Sequence, residues 1–335
     1  MKMKQNTSLK AFNTFGIDVK AKAFVKVNGI DELRSVLKEN NKPLLILGGG
    51  SNVLFTKDFD GLVVNNQIKG IEVLHDTAND VLIKVGAGEI WHEFVMYCIE
   101  NGYAGVENLS LIPGSVGAAP MQNIGAYGVE VKDLITEVET IDINDLSLKT
   151  FSNEECKFDY RSSIFKTSVK GKYFITAVTF RLIKEAEINT SYGAIESELA
   201  IMGVEQPTIK AVSDAVIRIR RSKLPDPQKI GNSGSFFKNP VVSEEIKESV
   251  LQQYPSAPVY PQPSGEFKLA AGWLIEQCGW KGKQIENYGV HKKQALVLVN
   301  YGNAKGEDIY KLSEDIIQSV NQKFGITLER EVNII

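Results

Sequence analysis

The order of apolar and polar positions predicts a chain that mixes strands with helices. Short apolar runs are typical of buried strands, and they occur at residues 24–27, 44–47, 53–55, 62–64, 81–85, 138–143, 174–182, 295–300 and 326–335. Apolar residues spaced by three and four positions predict helices at residues 31–40, 90–101, 244–254, 269–278 and 307–324, with a further helix that starts at residue 209. We expect Asp31 and Thr208 to cap helix starts and Gly325 to end the last helix.

The length of the chain, 335 residues, exceeds what a single hydrophobic core usually organises. Changes of rhythm and turn residues predict three parts. Residues 1–67 together with 326–335 form a small α/β subdomain, residues 68–222 form a larger β-rich subdomain, and residues 223–325 form a third domain. Residues 103–130 are a connection rich in glycine and proline, and connections of this length inside a domain are usually functional.

The composition argues against several kinds of partner. With a net charge of −3 and a pI near 5.8, the chain offers no basic surface for nucleic acid. The three cysteines form no CxxC pair, and none of the three histidines has a metal-ligand partner at useful spacing, so we expect no metal site. No apolar run approaches the roughly 20 residues needed to span a bilayer. We therefore expect a cytoplasmic protein that acts on small molecules, with no nucleic acid and no membrane among its partners.

Three successive glycines follow a buried strand in Gly48-Gly49-Gly50-Ser51-Asn52. In such a turn no side chain blocks a diphosphate from the backbone N–H groups. The turn is not a Rossmann motif, because residues 53–55 have a strand pattern, and it is not a Walker A loop, because the Lys-Ser/Thr pair is missing. From these residues alone, a phosphate site and a simple tight turn are equally good interpretations.

Small residues are also dense between Leu111 and Gly128. They would let the main chain lie flat against a large planar ligand or a phosphate, with amides left to donate hydrogen bonds. A flexible loop in solvent is the alternative interpretation. Such a loop would not need so many apolar anchors, which are Ile112, Val116, Met121, Ile124 and Tyr127.

Five motifs in this order give the chain a resemblance to a known family. Besides the two glycine-rich segments, they are Phe158-Asp159-Tyr160-Arg161-Ser162-Ser163-Ile164-Phe165, Lys223-Leu224-Pro225-Asp226-Pro227 and Gly234-Ser235-Phe236-Phe237-Lys238-Asn239-Pro240. From about Leu9 to Val332 the chain resembles the UDP-N-acetylenolpyruvoylglucosamine reductases. Tyr192, in Ser191-Tyr192-Gly193, resembles the subtype of that family with a tyrosine-bearing lid loop.

The resemblance implies an α+β protein with the vanillyl-alcohol-oxidase (PCMH) type of FAD-binding fold and a C-terminal α+β substrate-binding domain. Residues 1–67 with 326–335 and residues 68–222 would be its two FAD-binding subdomains, and residues 223–325 the substrate-binding domain. It also implies that hydride passes from NADPH through non-covalent FAD to the enolpyruvyl group of a UDP-N-acetylglucosamine derivative. The product would be UDP-N-acetylmuramate for peptidoglycan. We expect a monomer.

By the same resemblance, two sets of residues would bind FAD. The first set is Gly48, Gly49, Gly50, Ser51, Asn52 and Val53. The second set is Pro113, Gly114, Ser115, Gly117, Ala118, Asn123, Ile124, Gly125 and Ala126.

The resemblance implies three catalytic residues. Arg161 would pair with the substrate carboxylate as negative charge builds up, although an arginine in this position is otherwise a structural ion pair. Ser235 would protonate the carbanion, although a serine in such a stretch more often caps a turn. Glu331 would hold the developing enol. Arg330 stands where the family often has proline, which leaves Glu329 as an alternative to Glu331.

The remaining residues that the resemblance singles out would bind the UDP-sugar. Those that would contact the nucleotide are Arg220, Lys223, Asn239 and Gln294, and the tyrosines that would close over it are Tyr192 and Tyr260. For each cationic side chain the alternative is simple solvation at the surface.

Two other functions compete with this one. The first is a different FAD-dependent oxidoreductase of the same fold, such as a sugar or hydroxy-acid oxidase. The second is a non-catalytic protein that binds nucleotide sugars. The presence of Arg161, Ser235 and Glu331 together argues against the second.

Overall fold

The computed structural model describes residues 3–184 and 188–335. The chain forms two compact units. The first contains the residues up to Thr7, Ala21–Gly49 and Asp60–Ser222, and the second contains Ser8–Lys20, Gly50–Phe59 and Lys223–Ile335. The division into three domains stays a prediction.

In the described part of the chain, strands are more numerous than helices. The strands are β1 (Lys4–Ser8), β2 (Lys20–Val27), β3 (Leu44–Leu47), β4 (Val53–Leu54), β5 (Phe59–Asn66), β6 (Ile71–Asp76), β7 (Asp80–Gly86), β8 (Gly125–Ala126), β9 (Val129–Glu130), β10 (Ile135–Asp142), β11 (Leu148–Ser152), β12 (Tyr173–Ile183), β13 (Val241–Val242), β14 (Val259–Pro261), β15 (Phe267–Leu269), β16 (Gln284–Ile285), β17 (Tyr288–Val290), β18 (Leu298–Asn300) and β19 (Asn333–Ile334). The α-helices are α1 (Ile30–Glu39), α2 (Trp91–Glu100), α3 (Gly193–Ile201), α4 (Ile209–Lys223), α5 (Glu244–Gln253), α6 (Ala271–Gln277) and α7 (Gly306–Phe324). None of these helices is long and apolar enough to cross a membrane.

A small sheet with strand order β1-β2-β5-β3 lies at the start of the first unit. Strands β3 and β5 run parallel, with Leu44 paired to Leu62, and the buried face of α1 packs into the same core as Val64. The prediction that Asp31 caps α1 is wrong, because the helix begins at Ile30 with Gly29 as its N-cap. The Glu32 carboxylate instead accepts the N–H of Asn28 just before the helix.

The larger sheet of the first unit is antiparallel, with strand order β11-β10-β12-β7-β6. Its core is built around three aromatic rings, since Trp91 and Phe94 of α2 both contact Phe180 of β12. The indole N–H of Trp91 donates to the Leu109 carbonyl at 2.9 Å. This bond anchors the long connection at residues 103–130, which contains short 3-10 turns at Glu107–Leu109 and Val116–Ala118 and the hairpin β8–β9.

In the second unit, two three-stranded sheets, β13-β15-β14 and β16-β17-β18, accompany the long helix α7. The buried stripe of α7 is Ile309, Leu312, Ile316 and Val320. Gly325 ends this helix in the left-handed conformation, at φ 69°, as predicted. The last strand β19 pairs in parallel with β4.

The prediction of a continuous strand over residues 326–335 is wrong, because only Asn333–Ile334 is regular strand. Before it, a single bridge joins Arg330 to Phe237. The Arg330 guanidinium is held by α7, where it donates to Ser313 at 2.8 Å and to Glu314 at 2.5 Å. The terminal segment is therefore held by side-chain contacts to α7 and by a short main-chain pairing with residues 236–238.

Two strands and a helix of the first unit are among the elements that the apolar pattern did not predict. Strands β6 and β11 are the two edges of the larger sheet, and most of their residues are exposed. An edge strand can be mostly polar because little of it is buried. The third is α3, which buries only Ile195 and Leu199.

The predicted role of Thr208 as the N-cap of α4 can be tested directly. The Thr208 hydroxyl accepts the Ala211 N–H at 3.1 Å, as predicted for a helix start. Thr208→Ala should lower the free energy of unfolding by about 1 kcal/mol, because one N–H at the helix start loses its partner. Urea denaturation measures this difference, and Thr208→Ser, which keeps the hydroxyl, is the control. An unchanged midpoint for Thr208→Ala would show that the cap contributes nothing.

Candidate active site

The first glycine-rich segment packs directly against the second within the first unit. A Cβ at Gly48 would overlap the Ser115 hydroxyl, and a Cβ at Gly49 would lie 3.0 Å from the Gly114 Cα. The carbonyls of Leu47 and Gly48 both accept from the buried Asn65 amide, at 3.0 and 2.9 Å. The two segments predicted to share a ligand are therefore neighbours. The small residues at positions 48 and 49 are required by this packing.

The rest of the glycine turn belongs to the second unit. Gly50 has φ 63°, and a Cβ there would overlap the Phe12 carbonyl. Its own carbonyl accepts the Thr14 N–H at 3.0 Å. Asn52 donates from its side-chain amide to the Glu331 carbonyl at 3.3 Å, and Val53 is the first residue of β4. The turn is thus fixed by main-chain contacts on both sides of Gly50.

The segment from Pro113 to Ala119 is fixed to the residues that precede and begin α2. Trp91 donates its N–H to the Gly114 carbonyl, and the N–H groups of Val116 and Gly117 donate to Glu89 and Ala87 at 2.9 Å. Among the residues that the structure describes, the N–H groups of Gly114 and Ser115 have no protein acceptor. Ser115 is 8% exposed, and a buried N–H without a protein partner normally has a water or a ligand as acceptor. The N–H of buried Ser115 and that of half-buried Gly114 are two successive donors that suit the diphosphate of FAD.

The next part of the connection is organised by the buried side chain of Asn123. Its amide donates to the Glu130 carboxylate and to the Asp159 carbonyl, both at 3.1 Å, and it accepts the Lys132 N–H. Ile124 is buried, and Gly125 and Ala126 form strand β8 of the short hairpin. These four predicted cofactor residues are therefore held as a rigid loop.

Arg161 lies in a two-residue turn in which Asp159 and Ser162 exchange both main-chain hydrogen bonds. Its φ is 52°, a left-handed conformation that costs free energy for any residue except glycine. The guanidinium donates to the Gly125 carbonyl at 2.5 Å and lies 3.9 Å from the Glu130 carboxylate. The hydrogen bond to the Gly125 carbonyl orients the guanidinium.

Arg220, on α4, has a different environment. Its Nε is fully buried and has no hydrogen-bond partner, and burial lowers the pKa of the guanidinium. The electrostatic interaction with the Tyr127 phenol opposes this effect on the pKa. Tyr127 in turn meets the ring of Tyr192 edge-on, with 5.4 Å between ring centroids. Tyr192 itself is 51% exposed.

Ser235 and Glu331 lie on neighbouring segments of the second unit. Ser235 forms a bridge to Val297, and the next residue, Phe236, donates its N–H to the Leu296 carbonyl at 2.8 Å. On the other side, the Glu331 N–H donates to the Phe236 carbonyl at 2.9 Å. The segment that carries Ser235 is thus held between two others, while Arg161 belongs to the first unit.

The structure distinguishes the two terminal glutamates. The side chain of Glu329 is 74% exposed and pairs with Lys238 at 3.0 Å. Glu331 is half-buried, and its carbonyl is bound by Asn52. These environments favour Glu331 as the functional residue, and the assignment stays a prediction.

The other residues expected to bind substrate have unequal surroundings in the second unit. The Asn239 side chain accepts the Ala271 N–H at 2.9 Å, at the start of α6. The Gln294 side chain accepts the Leu296 N–H at 3.3 Å. Tyr260 is 53% exposed on β14, and Lys223 is exposed at the end of α4. The two amides therefore have structural partners already, and the other two side chains are exposed.

Sequence reasoning did not identify Asn108, which is 1% exposed and donates from its side-chain amide to the Tyr127 and Asn189 carbonyls at 3.0 and 3.1 Å. The only signal for Asn108 was its place in the long connection, and Tyr127 was recognised only as an apolar anchor. Of the histidines, His92 accepts the Leu111 N–H through Nδ1, which is a structural role. No group of side chains in the described ranges could hold a metal ion.

Comparison with known proteins agrees with this arrangement of residues. Residues 21–150 match the model described as an FAD binding domain, and residues 226–335 match the C-terminal domain of UDP-N-acetylenolpyruvoylglucosamine reductase. The reductase of Flavobacterium johnsoniae is 51% identical, with both chains covered completely, and that of Amoebophilus asiaticus is 50% identical with the same coverage. The chain belongs to the UDP-N-acetylenolpyruvoylglucosamine reductase family.

A solved structure shows the fold of the reductase family. The enzyme from Thermus caldophilus superposes on the chain with a TM-score of 0.69 at 22% identity, covering 100% of this chain and 99% of that one. With the domain matches, this confirms the predicted α+β FAD-binding fold and the FAD cofactor. As a member of the reductase family, the chain is an FAD-dependent oxidoreductase.

The contact between the two glycine-rich segments gives a test by rescue. Gly48→Ala should lower the free energy of unfolding by about 1–3 kcal/mol, because the new methyl group overlaps the Ser115 hydroxyl. Removing that hydroxyl leaves the Ser115 Cβ at 3.4 Å, an ordinary contact, so Gly48→Ala with Ser115→Ala should recover most of the loss. Denaturation midpoints and the FAD content of the purified proteins measure both effects. If the double variant were no better than Gly48→Ala alone, the overlap would not be the cause.

Proposed function

We propose that this protein uses NADPH to reduce the enolpyruvyl group of UDP-N-acetylglucosamine enolpyruvate, giving UDP-N-acetylmuramate for peptidoglycan synthesis. The observation that carries the proposal is that an FAD binding domain and the C-terminal domain of this reductase occur in one chain, with relatives of that name matching over its full length. We further propose that the protein is a cytoplasmic monomer.

The residues at the two glycine-rich segments fit FAD. Gly114 and Ser115 offer N–H donors for its diphosphate, and the Asn123–Ala126 loop is held rigidly enough to receive its ring system. Bound FAD would take a hydride from NADPH and pass it to the substrate. The protein must then stabilise the negative charge that the substrate gains.

That charge spreads into the carboxylate conjugated to the reacting double bond. We assign its stabilisation to Arg161, because a guanidinium fork pairs well with a carboxylate. Its contacts to Gly125 and Asn123 fix its orientation before the substrate arrives. The left-handed backbone of Arg161 supports this role, since strain of this kind is commonly found at functional sites.

A proton must then reach the carbanion. We assign this step to Ser235. Its backbone forms a bridge to Val297, and the residue is half-buried. An ordinary serine is a weak acid, so it has to act while the charge is transient. Glu331, on the segment next to Phe236, would stabilise the enol form.

Binding of the UDP-sugar needs cations that pair with its diphosphate and side chains that close over the rest of the ligand. Arg220 supports this assignment most strongly, since it is a half-buried cation whose enclosed Nε has no hydrogen-bond partner among the described residues. We assign Lys223, Asn239 and Gln294 to the same ligand, and Tyr192 and Tyr260 to closing over it, because both rings are about half exposed.

Replacing Ser235 tests the chemistry in two separate steps. Ser235→Ala should leave flavin reduction by NADPH nearly unchanged and slow flavin reoxidation by the enolpyruvyl UDP-sugar by about 10²–10⁴-fold, because only the second step needs the proton donor. Stopped-flow absorbance of the flavin measures each step. Ser233→Ala, which removes a buried hydroxyl two residues away that has no hydrogen-bond partner, is the matched control.

Three results would contradict these assignments. Equal losses in both steps would make Ser235 a structural residue. Rapid use of oxygen by the reduced flavin, with no reoxidation by the UDP-sugar, would indicate an oxidase of the same fold. A purified protein that binds the UDP-sugar without FAD would indicate a binding protein.

A further inference from the structure

The hydrogen bonds of the Asn123 side chain are directed at the protein itself. Asn123 is 0% exposed. Its amide donates to the Glu130 carboxylate and to the Asp159 carbonyl, both at 3.1 Å, and its oxygen accepts the Lys132 N–H at 3.1 Å. An asparagine side chain has two N–H donors, and these two acceptors use both of them. The side-chain amide therefore has no donor left for a ligand.

These bonds attach the turn that carries Arg161 to the loop around Asn123. On one side of Arg161, the turn is held through the Asp159 carbonyl, which accepts from the Asn123 amide. On the other side, the buried Ser163 hydroxyl donates to the Met121 carbonyl at 2.8 Å. The turn is thus attached to the same loop before and after Arg161.

The side chain of Arg161 also contacts this loop. Its guanidinium donates to the Gly125 carbonyl at 2.5 Å and, more weakly, to the Asn123 carbonyl at 3.4 Å. A Cβ at Gly125 would lie 2.9 Å from the guanidinium, so this close approach depends on a glycine. The left-handed backbone of Arg161 costs free energy and persists only where its surroundings hold it. Asn123 therefore helps to fix both the backbone and the guanidinium of Arg161.

We infer that the Asn123 side chain is a positioning group that holds Arg161 in place for the substrate carboxylate and does not itself contact FAD. This inference rests on the proposed function, which assigns that carboxylate to Arg161. The resemblance to the reductase family placed Asn123 among the cofactor residues. Its side-chain bonds give it a role in the substrate half of the reaction instead.

Asn123→Gly tests this role in the FAD-loaded enzyme. Glycine removes the side-chain bonds and readily adopts the φ of 43° found at Asn123. Stopped-flow absorbance should show flavin reduction by NADPH nearly unchanged. Flavin reoxidation by UDP-N-acetylglucosamine enolpyruvate should slow by about 10–100-fold, because a small displacement of a substrate-positioning group has an effect of this size. The FAD content of the purified protein should also stay unchanged. Loss of FAD, or equal slowing of both steps, would overturn the inference.

Asn66→Ala is the matched control. Asn66 is a buried asparagine of the first unit whose amide donates to the Ile175 carbonyl and whose oxygen accepts the Ile68 N–H. We expect both flavin steps to be unchanged in this variant. If Asn66→Ala slowed reoxidation as much as Asn123→Gly does, the effect would be general destabilisation and the inference would be wrong.

A double-variant cycle tests whether Asn123 acts through Arg161. Arg161→Ala combined with Asn123→Gly should be reoxidised at the same rate as Arg161→Ala alone, because the residue that Asn123 positions is already missing. Effects that multiply would show that the two residues act independently and would overturn the inference.

A second variant at the same position covers the case in which Asn123→Gly does not fold. Asn123→Asp keeps the acceptor for the Lys132 N–H and tolerates a left-handed backbone, but it loses both amide donors. It should slow reoxidation selectively, and an unchanged reoxidation rate would again overturn the inference. A wild-type enzyme whose reduced flavin is not reoxidised by the UDP-sugar would instead reject the proposed function.

Discussion

The close approach of two main-chain segments is the constraint on which the first unit's candidate cofactor site depends. Gly48 and Gly49 lie so near Gly114 and Ser115 that side chains at the two glycines would overlap or crowd them. The second segment is also fixed to residues 87–91 by hydrogen bonds. With both segments fixed, the N–H groups of Gly114 and Ser115 stay available for a ligand. Their positions are set before it binds, which lowers the entropy cost of binding.

Two arginines of the first unit lie in different surroundings. Arg161 donates to the Gly125 carbonyl at 2.5 Å and lies 3.9 Å from the Glu130 carboxylate. On α4, the Nε of Arg220 is enclosed without a hydrogen-bond partner among the described residues. A guanidinium fork pairs well with the carboxylate and phosphate oxygens of a ligand.

In the second unit, backbone pairing places the two candidate residues. The Ser235-Phe236-Phe237 segment lies between Leu296–Val297 on one side and residues 329–331 on the other. Phe236 and Phe237 are fully buried and anchor the segment, while Arg330 fixes the terminal segment to α7. Ser235 and Glu331 are thus brought to neighbouring positions although almost a hundred residues separate them in the sequence.

The sequence by itself determined the buried strands, the longer helices and the caps at Thr208 and Gly325, because these follow from local periodicity and from single residues. Its motifs also identified the family. It did not reveal the edge strands β6 and β11, which are mostly exposed and have no apolar pattern to detect. Nor did it show that Arg330 is held by α7, or that the rings of Tyr127 and Tyr192 meet edge-on. Those contacts join residues far apart along the chain, so only the tertiary structure could decide them.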